Sequence, residues 1–543
     1  MPKSADIARR VQERVKQEAA ATPAKAPEVL KDSFVLDCLR ANRVGDAILF
    51  NALHRGKYIF VKRWGRFLRW AGHHWEEDIM QTALAAVESV CEEYLRVMAN
   101  LADKMAEAVK DDKKAIERQR EELHKRVFLL RDKSGRERLL ECCHTIHDPL
   151  AIDGKELDQQ PYLLAFRNGV VDLRTGDFRP GRPEDYILNA CPIQWEDINA
   201  PCDLWLDFLR SCHDGDNEVV DFLHRLLGYG VLGSRDEQIW SVFYGARGSN
   251  GKDTLFKIIE PILGSDLCGV IPTELLLESK MPRNPSAPSP DIMSLRGKRM
   301  AIASEAENNQ RLAMAKIKLL TGGGKVQGRG LQDKLLTSWK PTHLLFLLTN
   351  EIPRSKADDD AFWRRFLAVP WKIRFVDNPK APDERPRDAH MEHKLMQCLP
   401  GIAAWLVRGA LEYQRQGLNP PEVILACTRE QRDAVDDVGC FLRDCCDMEL
   451  AVEGKEPSTR IKADELLEAF NWWFHRERDA SYSYSSRRLG EIMKKKQIPW
   501  KKSSGIVYLG VSLNQDTATD LAAWQDASDS RGEDKPRRKK LYG

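Results

Sequence analysis

The chain has 543 residues, too many for one compact core, so several domains are expected. Hydrophobic residues make up 42% and charged residues 31%, which excludes a disordered chain, and no apolar run reaches the roughly 20 residues of a membrane span. Lys plus Arg number 84 against 82 Asp plus Glu, a net charge of +2, so contact with nucleic acid must come from local basic patches.

The first residues, MPKSADIARRVQERVKQ, lack the apolar stretch of a secretory signal. Thirteen cysteines without a C-x-x-C repeat predict reduced thiols and a cytoplasmic protein. Residues 1–41 read as a flexible extension: a frayed helix, then prolines at 23 and 27. Residues 42–200 read as a mostly helical α+β domain. In it, KYIFVKRWGRFLRWAGHHWEED predicts two short strands around a turn at Gly65, a small packed sheet with a solvated basic face. Residues 78–147 are helical with a highly charged middle. LLAFRNGVVDLRTGDFRPGRPEDYILNA predicts a strand, a turn at Thr175-Gly176 and a second strand.

Residues 201–385 carry the strongest signal. Ile239 to Tyr244 read as a buried strand. A loop containing Gly245, Gly248, Ser249, Asn250 and Gly251 follows, then Lys252, Asp253 and Thr254 opening an apolar-faced helix. Strand, glycine loop, Lys and helix is the phosphate-cradling layout: backbone N–H groups and the helix N-terminus face an anion, and the Lys reaches the terminal phosphates. The strict G-x-x-x-x-G-K-[ST] pattern fails twice, at Ala246 and at Asp253. Whether Asp253 or Thr254 contacts a metal stays open. GKRMAIASEAE predicts a strand delivering Glu305 and Glu307 to Mg²⁺ and an attacking water. KPTHLLFLLTNEIP predicts a buried strand ending in Asn350, and Arg364-Arg365 precede a further strand.

The series GSNGKDTL, RMAIASEAE, KIKLLTGGGKVQGRGLQDKLLTSWKPTHLLFLLTNEIP and DDDAFWRRFLAVPW resembles the core of superfamily 3 helicases, chiefly the phage and plasmid primase-helicases and their poxvirus relatives. The resemblance implies an α/β, AAA+-like P-loop ATPase core using ATP and Mg²⁺. Lys252 is implied as the phosphate lysine, Glu305 as the first acid and a metal ligand with Asp253 or Thr254, Asn350 as the sensor, and Arg365 as an arginine acting on the adjacent subunit. Residues 318–334 match a DNA-gripping hairpin; Lys325, Arg329 and Lys334 are its candidate phosphate contacts. A connector at 386–435 and a winged-helix domain at 436–515 are implied next, then a basic disordered tail at 516–543. In RRLGEIMKKKQIPWKK, the cations Arg487, Arg488, Lys494, Lys495 and Lys496 are expected to meet backbone phosphates. About 40 residues ahead of the first module are too few for the primase domain that such proteins often carry.

The function implied is an ATP-dependent DNA helicase. It would form a homo-oligomeric, hexameric ring on single-stranded or forked DNA in a bacterial host cytoplasm, replicating a phage, plasmid or integrated element with a separate primase or polymerase. The alternative is an ATP-dependent assembly switch or defence ATPase on the same module.

Overall fold

The computed structural model describes residues 30–107, 109–279, 287–304, 310–331, 336–353, 355, 359–449, 457–478, 483–503 and 505–531. No described helix is long and apolar enough to cross a membrane.

The helices Asp32–Arg40, Asn42–His54, Glu88–Glu107, Lys110–Arg131 and Lys133–Cys143 share one core containing Phe34, Ile48, Phe50, Tyr94 and Leu123. Helix Asp32–Arg40 buries Phe34, Val35, Cys38 and Leu39, so this unit starts ahead of residue 42 and the expected extension is shorter. Residues 1–29 lie outside the described residues. Inside the bundle, buried Asp46 accepts bonds of 2.7 Å from Arg126 Nη1 and from Tyr94 OH. Burial raises the Asp46 pKa, with Arg126 opposing, so this ion pair is a structural tie between distant helices.

Two small sheets follow. The first has the order Trp75–Glu77, Arg66–Trp70, Tyr58–Val61, Ala151–Ile152, so the expected hairpin turning at Gly65 gains a strand on each side. Its basic residues pair with acids on the solvated face: Arg66 with Glu77 at 2.7 Å and Arg63 with Asp153 at 3.1 Å. The second has the order Phe178–Arg179, Gly169–Asp172, Leu163–Phe166, Ala190–Cys191. The chain reverses before Gly169 as well as near Thr175-Gly176, which the sequence reading missed. A Cβ on Gly169 would lie 2.5 Å from the Phe178 ring, so only glycine fits there.

The centre is a five-stranded, wholly parallel sheet. After helix α1 (Asn217–Leu232) come β1 (Trp240–Tyr244), α2 (Lys252–Leu263), β2 (Cys268–Val270), β3 (Met300–Ser304), α3 (Met314–Thr321), β4 (Leu344–Thr349) and β5 (Phe366–Pro370). The strand order is β2-β3-β4-β1-β5. Alternation along β1 and β4 sends Phe243 and Phe346 to one apolar layer and Trp240, Val242, Leu345 and Leu347 to the other. Parallel strands buried on both faces read as continuous apolar runs, which is why these were visible in the sequence.

The expected connector at 386–435 is part of this core. Helix α4 (Leu399–Gln416) lies on α1 so closely that a Cβ on Gly228 would sit 2.1 Å from the Gly409 carbonyl carbon. Helix α5 (Glu422–Ala434) covers β5, and the Thr428 hydroxyl accepts from Ala368 N at 3.0 Å.

The last unit contains helices Asp437–Cys445, Ala463–Arg478 and α6 (Ser486–Lys495), with a three-stranded antiparallel sheet ordered Arg460–Lys462, Ile506–Leu509, Trp500–Lys502. Phe441, Phe470, Phe474, Leu489 and Met493 form its core. The expected tail at 516–543 is corrected as well: Gln515–Arg531 is a helix that buries Leu521 in this core. The basic segment 535–540 lies outside the described residues.

Candidate phosphate-binding site

The loop after β1 has a shape that its glycines permit. Gly251 adopts φ 90°, and a Cβ there would lie 2.6 Å from Cys212 Sγ. A Cβ on Gly245 would sit 2.1 Å from Asn250 Nδ2 and 2.6 Å from the Trp371 carbonyl oxygen. Gly248 faces open space. Asn250 is buried, and its side chain donates to the Arg247 carbonyl at 3.0 Å. Ser249, at φ 60°, accepts from Phe375 N at 2.8 Å. The loop is therefore held in a fixed cradle before any ligand arrives.

Lys252 opens α2 and is only 4% exposed. Its Nζ donates to Asn350 Oδ1 at 2.7 Å. Asn350 stands at the end of β4, whose Leu345 to Thr349 pair with Trp240 to Tyr244 of β1. The start of the loop is tied to the same strand end, Gly245 N to Thr349 O at 3.3 Å. In open parallel sheets, ligands bind beyond the carboxyl ends of the strands. A buried ammonium, a side-chain amide and a loop at a helix N-terminus converge there, a combination able to hold and polarise a phosphate.

Asp253 is exposed and Thr254 half-buried, one on each side of the uncertain metal assignment. β3 lies beside β4, with Ser304 opposite Leu348, and ends at Ser304. Glu305 and Glu307 lie outside the described residues.

Arg365 is at the other end of the sheet. Phe366 pairs with Trp240, and Trp240 N donates to Arg365 O at 2.8 Å. Five residues of β1 at ~3.3 Å each put the loop about 16 Å away. Arg365 Nη1 donates to Ala361 O at 2.6 Å and Nη2 to Gln238 Oε1 at 2.7 Å. The neighbouring Arg364 is exposed. The helix just before them, Asp360–Trp363, is anchored twice: Lys318 of α3 pairs with Asp359 at 2.6 Å, and Arg432 of α5 pairs with Asp360.

The segment after α3 forms a hairpin, with Val326–Gly328 pairing antiparallel to Thr337–Trp339. Lys325 is exposed just ahead of the first strand, and Arg329 just after it is half-buried, its backbone N bonded to Ser289 Oγ at 3.0 Å. Lys334 lies outside the described residues. On α6, Arg487, Lys494 and Lys495 are exposed. Several of the five expected DNA contacts are committed within the chain, Arg487 among them through an ion pair with Glu491 at 3.1 Å. Arg488 lies 3.9 Å from the Tyr484 ring centroid and donates to its hydroxyl at 3.2 Å, and Lys496 is ion-paired with Asp436. Sequence spacing shows charge but not which cations fold back.

Sequence reasoning also missed the wall behind the loop. His213 packs 4.6 Å from the Trp371 ring, and burial lowers its pKa to about 4. Trp371 N donates to Tyr244 O at 2.7 Å, locking this wall to the loop's strand.

Residues 47–214 match the family described as D5 N terminal like. The chain is 28% identical over 317 residues to "Putative helicase L207/L206" of Acanthamoeba polyphaga mimivirus, covering 56% of this chain and 32% of that protein. It is 28% identical over 250 residues to "Putative helicase 121R" of Invertebrate iridescent virus 3, covering 45% of this chain and 26% of that protein. It is 23% identical over 410 residues to "Putative helicase 022R" of Frog virus 3, covering 62% of this chain and 40% of that protein. The chain thus spans less than half the length of each of these relatives. A solved structure of the NrS-1 C-terminal region aligns over 57% of this chain and 76% of its own, at 13% identity and TM-score 0.34. The D5 N terminal like match lies ahead of the glycine loop, within residues 47–214, and the viral proteins named as putative helicases are what the chain is similar to.

Proposed function

We propose that this chain binds ATP with Mg²⁺ at the Gly245–Gly251 loop and hydrolyses it to drive a DNA helicase of the superfamily 3 type. The observation that carries this reading is the Lys252–Asn350 contact at the carboxyl edge of two adjacent parallel strands. A γ-phosphate entering there would take the Lys252 ammonium, leaving the Asn350 amide to orient water. The strand order β2-β3-β4-β1-β5 supports an AAA+-like P-loop core. Mg²⁺ would supply charge neutralisation on the phosphates. Its proposed protein ligands are Thr254, Asp253 or Glu305, the rest of its shell being phosphate oxygens and water.

Arg364 and Arg365 are too far from their own loop to act on it. We read them as serving an adjacent copy in a head-to-tail assembly, in our proposal one that closes into a hexameric ring. The hairpin at 326–339 and the unit at 437–513, read as a winged helix, are the proposed DNA contacts. Thirteen free cysteines suit a cytoplasmic setting. In this reading the chain serves replication of a phage, plasmid or integrated element, with a separate primase or polymerase as partner; the putative-helicase names of the viral relatives support the helicase part alone. Strand displacement on forked DNA tests the proposal. ATP-dependent release of the labelled strand is expected; ATP hydrolysis without release would replace the helicase with an ATP-driven assembly switch.

A further inference from the structure

The N-terminal helical bundle holds a groove of about 710 Å³, far in sequence from the nucleotide loop. It runs between the start of helix Asn42–His54 and the junction of helices Lys110–Arg131 and Lys133–Cys143. Arg43, Arg126, Arg131 and Arg138 line it, together with Phe128 and Leu129.

The charge is one-sided. The acids in the lining are Asp46 and Asp132. Asp46 is buried and already taken by Arg126 and Tyr94. Asp132 caps its helix by accepting from Ser134 N at 3.1 Å. Arg131 is paired with Glu88 at 2.6 Å. Arg43 and Arg138 are exposed and make no ion pair among the described residues.

The apolar part is equally unusual. Val127 and Leu130 face the bundle core, yet Phe128 and Leu129 between them are 76% and 60% exposed. Large apolar side chains side by side in water on a helix end mark a binding surface. The floor beneath them is rigid, since a Cβ on Gly135 would lie 1.9 Å from the Leu129 carbonyl oxygen.

We propose that this groove binds single-stranded nucleic acid, with Phe128 stacking on a base and Arg43 and Arg138 holding the flanking phosphates. Guanidiniums around an exposed aromatic ring match the chemistry of single strands, which offer phosphates and free base faces together. A duplex hides its base faces and would use only the arginines. An acidic peptide would satisfy the charge but has no general need of the ring. The inference does not rest on the ATPase reading.

The test places the photoreactive residue p-benzoylphenylalanine at position 128 of the full chain, without nucleotide. Irradiation with labelled oligo-dT, oligo-rU or a blunt duplex follows. Adducts are expected with one or both single strands, distinguishing DNA from RNA, and not with the duplex. They should weaken as salt rises and fall at least about tenfold in the Arg43→Ala, Arg138→Ala background. Absence of an adduct with either single strand overturns the proposal. An adduct to a second copy of the chain overturns it in favour of a subunit interface, and a duplex adduct of equal yield overturns the stacking role. Because no ATP is present, failure of the helicase reading would leave these outcomes unchanged.

Discussion

Lys252 Nζ and Asn350 Oδ1, separated by 98 positions in sequence, meet at 2.7 Å where β1 and β4 end side by side. The parallel register of these strands creates the meeting. Asn350→Ala should therefore lower ATP turnover by about 10²–10³ while affecting ATP affinity far less, because an amide that orients charge matters most in the transition state. Steady-state kinetics separate the two effects. A rise in KM with kcat unchanged would show that Asn350 only helps to bind.

The arginine pair divides by its surroundings. Arg365 satisfies Ala361 O and Gln238 within its own chain, whereas Arg364 is exposed. Arg365→Ala should lower the melting temperature; Arg364→Ala should not. Both should depress ATPase activity. The arginine-deficient double variant mixed with Lys252→Ala should recover partial activity, since some interfaces then join an intact lysine to a neighbour's intact arginines. Demonstrated mixed rings with no recovery would contradict action between subunits.

Lys325→Ala combined with Arg329→Ala should leave DNA-independent ATPase activity intact and abolish its stimulation by DNA. Lys325 is exposed beside the hairpin, and α3, which leads into it, pairs through Lys318 with Asp359 next to the arginine element. Undiminished DNA stimulation across a salt series would remove the hairpin from the DNA path.

Acid should weaken the wall behind the loop. Burial lowers the His213 pKa to about 4, so the folded chain keeps it neutral while the unfolded chain protonates it near 6.5. The unfolded state then binds more protons, and stability falls as pH drops from about 6.5 towards 4, by about 2 kcal/mol at pH 5. Thermal melts at pH 7.5 and pH 5 should show a larger drop for the native chain than for His213→Leu. Equal drops would mean that His213 is not held neutral.

Four of the five central strands were legible because buried parallel strands are continuous apolar runs and because a glycine loop followed by Lys252 is a compact local pattern; the edge strand β2, only three residues long, was not. The meeting of Lys252 with Asn350 was expected from resemblance; their distance follows from strand register, which spacing alone does not encode. The same limit explains the misses. Helix α4 belongs to the core because Gly228 and Gly409 let two helices cross closely, a pairing across many residues. Lys496 and Arg488 looked like DNA contacts until their partners, Asp436 and Tyr484, were folded beside them. Helix Gln515–Arg531 is polar along most of its length, and Leu521 ties it to a core that its local sequence does not reveal.

The most direct measurement is ATP hydrolysis by purified Lys252→Ala beside the native chain, with thermal melting as the folding control. The account predicts hydrolysis by the native chain, loss of turnover to background in the variant, and a folded variant. Near-native turnover in the folded variant would contradict the assignment of the Gly245–Gly251 loop as the nucleotide site.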